Sequence, residues 1–239
     1  MPEVVVAPAK LTRSLRVTGI RADGYHLIDA EMVSVDLADT LHFTDGDGLE
    51  LQGAAPEVPA DDDNLVRRAL ALVDRRAHVV VDKRIPSGAG LGGGSADAAA
   101  VLRWAGVTDP AVAVALGADV PFCLVGGRAR VTGIGEQVMP MADEVLAFTL
   151  LTPPIHCSTP AVYAAWDALG GPCAEGPNDL EPAALVVAPA LVQWRDLLGN
   201  ATGQTPVLAG SGSTWFVEGA HPGPGRLVVH TLPAPGPSG

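Results

Sequence analysis

The sequence predicts an α+β protein of two packed domains, and three patterns lead there. Short apolar runs cut by Gly, Asp and Pro fill the first fifty positions and read as strands. The period lengthens to that of a helix at residues 64–73 and again in the alanine-dense stretch 96–105. Beyond Glu144 strand and helix patterns begin afresh, which places a domain boundary between residues 142 and 143. Residues 1–142 then form one domain and 143–232 the second, and the tail PAPGPSG, residues 233–239, is expected to be disordered. A chain of 239 residues is long enough to bury a sizeable core.

The strand-like runs at the start are residues 3–8, 15–20, 31–37 and 40–44. TDGDGLEL follows as a hairpin connection, with Asp45-Gly46 or Asp47-Gly48 supplying positive-φ positions. Asp61 to Asn64 offer capping oxygens to a helix whose apolar face is Leu65, Ala69, Leu72 and Val73. HVVVDKRI, with three consecutive valines, suits a buried strand and runs directly into PSGAGLGGGSADAAA. A short helix is expected over residues 110–116, Val120-Pro121 is expected to interrupt regular structure, and residues 128–132 read as a strand. VLAFTLLTPP is strand-like, and STPAVYAAWDAL and PALVQWRDLLG are helical. TPVLAGSGSTWFVEG is strand, glycine turn and strand, and GRLVVHTL is a last strand.

Composition narrows the function classes. The apolar runs are too short to cross a bilayer and the amino terminus has no export signal, so a soluble, cytoplasmic protein is expected. A net charge of −12 without a Lys/Arg stripe argues against nucleic acid as a partner. Cys123, Cys157 and Cys173 are too scattered for a zinc site or a disulfide framework. Cations are almost all arginine, 13 against 2 lysines, which singles out Lys10 and Lys83. No motif points to oligomerisation, and a monomer or weak homodimer is the default.

The glycine run admits two readings that fail. Gly88-Ala89-Gly90-Leu91-Gly92-Gly93 satisfies the dinucleotide pattern G-x-G-x-x-G, but Ile85-Pro86-Ser87 separate it from the strand, and the following acid, Asp109, sits in a helix-breaking turn. A Walker A loop needs Lys then Ser or Thr, and Gly94 is followed by Ser95-Ala96. What survives is more general: successive glycines let backbone N–H groups approach an anion, and the next helix presents its positive end. That makes a phosphate cradle without a lysine.

The run resembles the Pro-x-x-x-Gly-Leu-Gly-Ser/Gly-Ser-Ser/Ala motif of the GHMP small-molecule kinases, whose loop wraps the triphosphate of ATP. APAKLTRSLRVTGIRADGYHLI, DDDNLVRRA, VDKRIPSGAGLGGGSADAAAVL, LGADVPFCLVGGRARVTGIGE and GSGSTWF resemble, in order from Ala7 to Phe216, the 4-diphosphocytidyl-2-C-methyl-D-erythritol kinase branch of that superfamily. The resemblance implies the GHMP kinase fold: an amino-terminal ribosomal-protein-S5-like domain 2 fold followed by a ferredoxin-like α/β sandwich. It also implies ATP-dependent phosphorylation of the 2-hydroxyl of a cytidyl diphosphate alcohol in the methylerythritol phosphate pathway.

By the same resemblance Asp119 is the general base and Lys10 polarises the acceptor hydroxyl or the γ-phosphate. Asp119 lies in an apolar stretch, where a nearby cation would keep its carboxylate ionised. Asn64, Leu65, Lys83, Pro86, Ser87, Gly88, Ala89, Gly90, Leu91, Gly92, Gly93, Gly94, Ser95 and Ala96 are the implied ATP segment; Lys83 could meet phosphate or pair with Asp82. Tyr25 and His26 would surround the cytosine with Tyr163 as the opposite wall, Thr159 and Pro160 lie near the same pocket, and Gly210, Ser211 and Gly212 close the site. Mg2+ is implied by ATP chemistry, with the Ser95 hydroxyl as a candidate ligand.

Two departures stand out: Thr12 occupies a position where the family usually has Asn, and the chain is short for the family. A hydroxyl cannot present an amide's donor and acceptor together. A homoserine- or mevalonate-type kinase and a catalytically impaired nucleotide-binding homologue therefore remain as alternatives, the first disfavoured by the aromatic residues and the second by retention of Lys10 and Asp119.

Overall fold

The computed structural model describes residues 3–53 and 60–235. The chain enters along β1 (Glu3–Ile20), turns through Asp23-Gly24 and returns as β2 (His26–Thr44), so that four short expected runs become two antiparallel strands of 18 and 19 residues. Register breaks at Pro8/Lys10, Thr12/Ser14 and Val17/Gly19 explain why the sequence looked interrupted. At such bulges the apolar alternation lapses although the strand continues. Ala9, Lys10, Leu11 and Thr12 are consecutively buried there, two of them polar.

β3 (Gly48–Gly53), α1 (Leu65–Leu72), β4 (His78–Lys83), α2 (Gly93–Trp104), α3 (Pro110–Ala113), α4 (Val120–Val125), β5 (Arg128–Gly133) and β6 (Gln137–Pro140) complete the first half. The hairpin expected at TDGDGLEL does not form. β4 inserts between β2 and β3, antiparallel to the first and parallel to the second, so the turn only redirects the chain. The sheet runs β3-β4-β2-β5-β6, with β1 along the other edge of β2. Val120-Pro121 likewise opens a helix instead of breaking one, because a proline in the first turn has no intrahelical N–H to lose. Helix α2 starts at Gly93, three residues earlier than the alanines suggested, and Ala98, Ala99 and Ala100 are fully buried where it meets β1 and β2.

The second half contains β7 (Ala147–Leu151), α5 (Thr159–Ala168), α6 (Glu181–Val187), α7 (Leu191–Thr202), β8 (Val207–Leu208), β9 (Trp215–Glu218) and β10 (Arg226–His230). Its sheet is antiparallel throughout, in the order β10-β7-β9-β8. The changeover between sheets falls between Pro140 and Ala147.

Backbone bonds stitch the halves together. Asn178 pairs beside Leu15, with Leu15 N donating to Pro177 O at 2.8 Å and Asp179 N donating to Leu15 O at 2.9 Å. Asp179, itself buried, also accepts from Val17 N and from Arg16. At the far end Leu232 N donates to Ser34 O at 2.9 Å. Ala234 and Pro235, at the start of the stretch expected to be disordered, lie against Gly127 and Gly126; residues 236–239 are outside the described residues.

Candidate active site

A cleft of about 1010 Å³ opens between the two halves. Its wall takes Lys10 and Thr12 from β1, His26 from the start of β2, the glycine loop with the first turn of α2, Asp119 ahead of α4, Tyr163 from α5, and Gly210 with Ser211.

The loop is shaped by alternation. Ile85, Ala89 and Leu91 are buried anchors, while Pro86, Ser87, Gly88, Gly90 and Gly92 line the cleft between them. Lys10 N donates to Leu91 O at 3.0 Å and Thr214 N to Ala89 O at 3.2 Å, so the loop is held from both halves of the chain. Gly92 caps α2 at φ +70°, and the first intrahelical bond runs from Ala96 N to Gly92 O. The N–H groups of Gly93, Gly94 and Ser95 therefore have no helical acceptor behind them and stand at the positive end of a 12-residue helix. That geometry suits an anion. Leu91 and Ala96 do not reach the wall; both are buried and act through the backbone.

Gly90 has φ +76°, and a Cβ there would lie 2.3 Å from Ala209 O and 2.8 Å from Gly212 O, both backbone atoms. Gly90→Ala is expected to cost about 1–2 kcal/mol from backbone strain alone and to push the loop off the 209–212 segment. Thermal unfolding and KM for ATP check this: a lower midpoint with raised KM is expected, and wild-type values for both would mean that the loop is not docked there.

Lys10 Nζ lies 3.3 Å from Asp119 Oδ2 and donates to Thr12 Oγ1 at 3.1 Å. Lys10 is buried, whereas the Asp119 side chain is 35% exposed and open to the cleft. Asp119 precedes α4, but its side chain makes no capping bond, so the carboxylate is left for the lysine and for whatever enters. Thr12 is buried, and by accepting from Lys10 it leaves its own hydroxyl proton to be donated elsewhere. One turn into α4, burial pushes the Cys123 thiol up to about 12, so it does not compete as a base.

Lys83 does not pair with Asp82, which lies beside Arg84 instead. Its Nζ sits 2.5 Å from Asp39 Oδ2 and 2.6 Å from Asp97 Oδ2, all three side chains buried. Asp39 Oδ1 accepts from Arg84 N at 2.6 Å and Ile85 N at 2.8 Å, anchoring the entry to the glycine loop. Asp97 carries one oxygen, Oδ1, with no partner among the described residues, and burial, opposed by Lys83 and reinforced by the Asp39 charge, pushes its carboxyl up to about 7. Lys83 and Asp97 both face the cleft, alongside Asn64 and Leu65 at the start of α1. Asn64 Oδ1 caps α1 by accepting from Val66 N at 2.9 Å.

At the aromatic side, the His26 ring lies 4.6 Å from Tyr163 and 5.6 Å from Trp166, centroid to centroid. Tyr25 is 58% exposed beneath the Arg21 guanidinium, at the mouth of the cleft. Burial, with Asp119 adding a smaller push, raises the Tyr163 hydroxyl and keeps it neutral. Pro160 lines the wall, and the Thr159 hydroxyl is 2.8 Å from that of Ser211, which ties α5 to the third glycine motif. Gly210 faces Lys10 and Thr12, while Gly212 turns toward Leu208 and Cys157 and does not line the cleft.

Sequence reasoning missed Asp39, Asp97, Asp167 and Asn178. Buried Asn178 donates to Leu208 O at 2.8 Å and Gly210 O at 2.7 Å and thereby sets the third glycine motif. Their defining partners are distant, 14 to 141 residues away, although Asn178 Oδ1 also accepts locally from Leu180 N. Among the described residues the cysteines are free, no helix is long and apolar enough to cross a membrane, and no cluster of three His, Cys, Asp or Glu side chains could hold a metal.

A glycine loop at a helix start beside a Lys–Asp pair on this α+β frame has the form of a GHMP-type small-molecule kinase, and residues 64–127 match the family model described as GHMP kinases N terminal domain. Relatives named 4-diphosphocytidyl-2-C-methyl-D-erythritol kinase occur in Polaromonas sp., 41% identical over 89% of this chain and 82% of the relative, and in Paracoccus denitrificans, 41% identical over 88% and 84%. The chain belongs to that kinase family. A crystal structure of a 4-(cytidine 5'-diphospho)-2C-methyl-D-erythritol kinase matches with a TM-score of 0.76 at 31% identity, covering 96% of this chain and 99% of that one. A homoserine kinase from Cytophaga hutchinsonii shares the fold alone, at TM-score 0.60 and 16% identity over 98% and 95% of the two chains.

Proposed function

We propose that the chain transfers the γ-phosphoryl group of ATP to the 2-hydroxyl of 4-diphosphocytidyl-2-C-methyl-D-erythritol, in the methylerythritol phosphate route to isoprenoid precursors. The observation that carries this reading is the Lys10–Asp119 pair, set in one cleft with the glycine loop and the aromatic group His26, Tyr163 and Tyr25. The family membership supports the substrate class.

Phosphoryl transfer needs in-line placement and charge stabilisation more than covalent help. Asp119 accepts the proton of the acceptor hydroxyl as its oxygen bonds to the γ-phosphorus, while the bond to the β–γ bridging oxygen breaks and ADP leaves. Lys10 keeps Asp119 ionised and stabilises the charge that spreads over the transferring group. Thr12 donates its hydroxyl proton toward the acceptor. The N–H groups of residues 90–95 hold the phosphates, with Lys83 close behind Gly93, while Asn64 and Leu65 lie on the base side and Thr159, Pro160, Ser211 and Gly210 border the alcohol. Gly212, Leu91 and Ala96 support that wall from behind.

Mg2+ fits this site as a cation carried in by ATP, since phosphate oxygens and water supply most of its usual ligands. The Ser95 hydroxyl, at the cleft wall, is the side chain that would complete them. Bound there, it would neutralise phosphate charge. The working unit is read as a monomer or weak homodimer in the cytoplasm, with residues 1–142 and 143–232 as its two domains.

Coupled assay of ADP release with the cytidyl alcohol, homoserine and mevalonate tests the proposal. Turnover of the cytidyl substrate at least a hundredfold above both others is expected on the order set by buried hydrogen-bonding specificity. Preference for homoserine or mevalonate would reassign the chain within the fold, and no turnover of any alcohol would mark an impaired homologue.

A further inference from the structure

We propose that His156 is a positioning residue that latches the glycine loop from the second half of the chain. Its imidazole occupies the space that a side chain at residue 88 would need, and so keeps the loop set for the phosphates of a nucleotide. The inference rests on the reading of that loop as the phosphate cradle, and it adds a residue that none of the motifs carries.

Three successive loop residues seat against the second half. Gly88 has φ +65°, and a Cβ there would fall on the His156 ring, overlapping Nδ1 and Cε1 and lying 2.9 Å from Cγ. Ala89 O accepts from Thr214 N, and Gly90 is pressed against the backbone oxygens of Ala209 and Gly212. Two of these contacts come from residues 209–214, and the third comes from His156. Gly88, Gly90 and Gly92 all have positive φ. Glycine brings no side chain and no narrow backbone preference of its own, so the set of this loop depends on what touches it.

The backbone that carries His156 is itself held. Cys157, the next residue, is buried, and its Sγ would be 3.5 Å from a Cβ on Gly212. Two residues further on, the Thr159 hydroxyl is 2.8 Å from that of Ser211. One short stretch ahead of α5 therefore touches both the first glycine motif and the third. Gly88 is part of the cleft wall and His156 is not, which fits a support for the loop and not a ligand to the nucleotide. Among the described residues no hydrogen bond or ion pair reaches the ring, so packing on Gly88 is what accounts for its place. A loop that is only partly set before binding lowers the apparent affinity by the fraction of time it is competent. Truncating the ring would remove the latch and leave every N–H group of the cradle intact.

The test compares wild type with His156→Ala and His156→Leu in the full chain. Leucine keeps atoms at the places of Cγ and Nδ1 but has no nitrogen. Calorimetry should show ADP bound about fivefold more weakly by the alanine variant, as for a loop competent about a fifth of the time, and within about twofold of wild type by the leucine variant. In turnover, the alanine loss should fall on KM for ATP and not on kcat. A double-mutant cycle checks the contact itself. Gly88→Ala should lower the melting midpoint by less in the His156→Ala background than in wild type, because there the new methyl meets no ring. An alanine variant with wild-type ADP affinity overturns the proposal, as does a strictly additive cycle. A leucine variant as weak as the alanine one also overturns it, since the nitrogen and not the bulk would then be what matters. Melting and ADP binding are read without an alcohol, so the two readings can fail separately. A His156-dependent ADP affinity in a protein that does not phosphorylate the cytidyl alcohol sinks only the proposed function. Turnover with an ADP affinity indifferent to His156 sinks only this one.

Discussion

Asp119→Asn is expected to lower kcat by about a thousandfold, within the range typical of losing a general base, while the Kd for a non-hydrolysable ATP analogue stays near that of wild type. Asparagine has the shape of aspartate, and its carbonyl can still accept from Lys10 Nζ, 3.3 Å from the native carboxylate. What it cannot do is take a proton. The native carboxylate is placed for that role because it makes no capping bond to α4 and is open to the cleft. On the proposed reading the glycine loop and the start of α2 hold ATP and Asp119 contributes no contact to it, so binding and chemistry are expected to separate. ADP-release kinetics and calorimetry on one preparation check both halves. A variant with wild-type kcat would remove Asp119 from the mechanism, and one that had also lost the nucleotide would show that the substitution disturbs the loop.

Asp39 and Asp97 share one lysine, and their replacements are expected to differ. Asp39→Ala removes a partner of Lys83 and strands the Arg84 and Ile85 N–H groups, which donate to Asp39 at 2.6 and 2.8 Å. Breaking a buried pair in this way costs about 3–5 kcal/mol. Because those N–H groups anchor the start of the glycine loop, KM for ATP should rise as well. Asp97→Asn should instead gain on wild type as pH rises. Burial pushes the Asp97 carboxyl up to about 7, well above its value in an unfolded chain. Between about pH 4 and pH 7 the folded state therefore holds a proton that the unfolded state has released. This group's contribution is greatest below that window, declines through it and is level above. Asparagine has no proton to lose, so the decline disappears, by on the order of 4 kcal/mol across the window. Lys83 acts at the alkaline end: its two carboxylates raise it despite burial, and its contribution is lost only as pH climbs through that raised value. Urea unfolding at pH 4.5, 6 and 8 reads the difference. A variant that falls progressively behind wild type over this range would contradict the shift.

The glycine run shows how much context is needed to read a motif. Its spacing fits a dinucleotide fingerprint, and the structure disposes of that reading in one detail: Asp109 Oδ1 accepts from Ala111 N at 2.9 Å and caps α3, so it is not left to hold a ribose. The glycine loop at a helix start was legible because glycine and a helix start are both local. Lys10, Asp119, His26 and Tyr163 were singled out through their motifs, and the structure gathers them in one cleft. Lys83 was legible as unusual, but its partners were not, since Asp39 lies 44 residues before it and Asp97 14 after.

Errors in the fold have the same origin. Bulges made β1 and β2 look like four strands, because apolar alternation stops where the chain turns polar side chains inward to form the site. The hairpin at TDGDGLEL failed because strand partners are chosen by the whole sheet, and β4 offered β3 a parallel neighbour.

By itself, then, the sequence determined what short-range stereochemistry dictates: the α+β order, the helix starts, the glycine cradle and, through motifs, the family. Tertiary structure alone decided which charges meet. It spent Lys83 on two aspartates, left Asp119 facing Lys10 across the cleft, and brought Asp167 from α5 to His26 across 141 residues. Backbone preferences act over a few residues, whereas pairing of buried polar groups depends on which surfaces pack, and no local pattern encodes that.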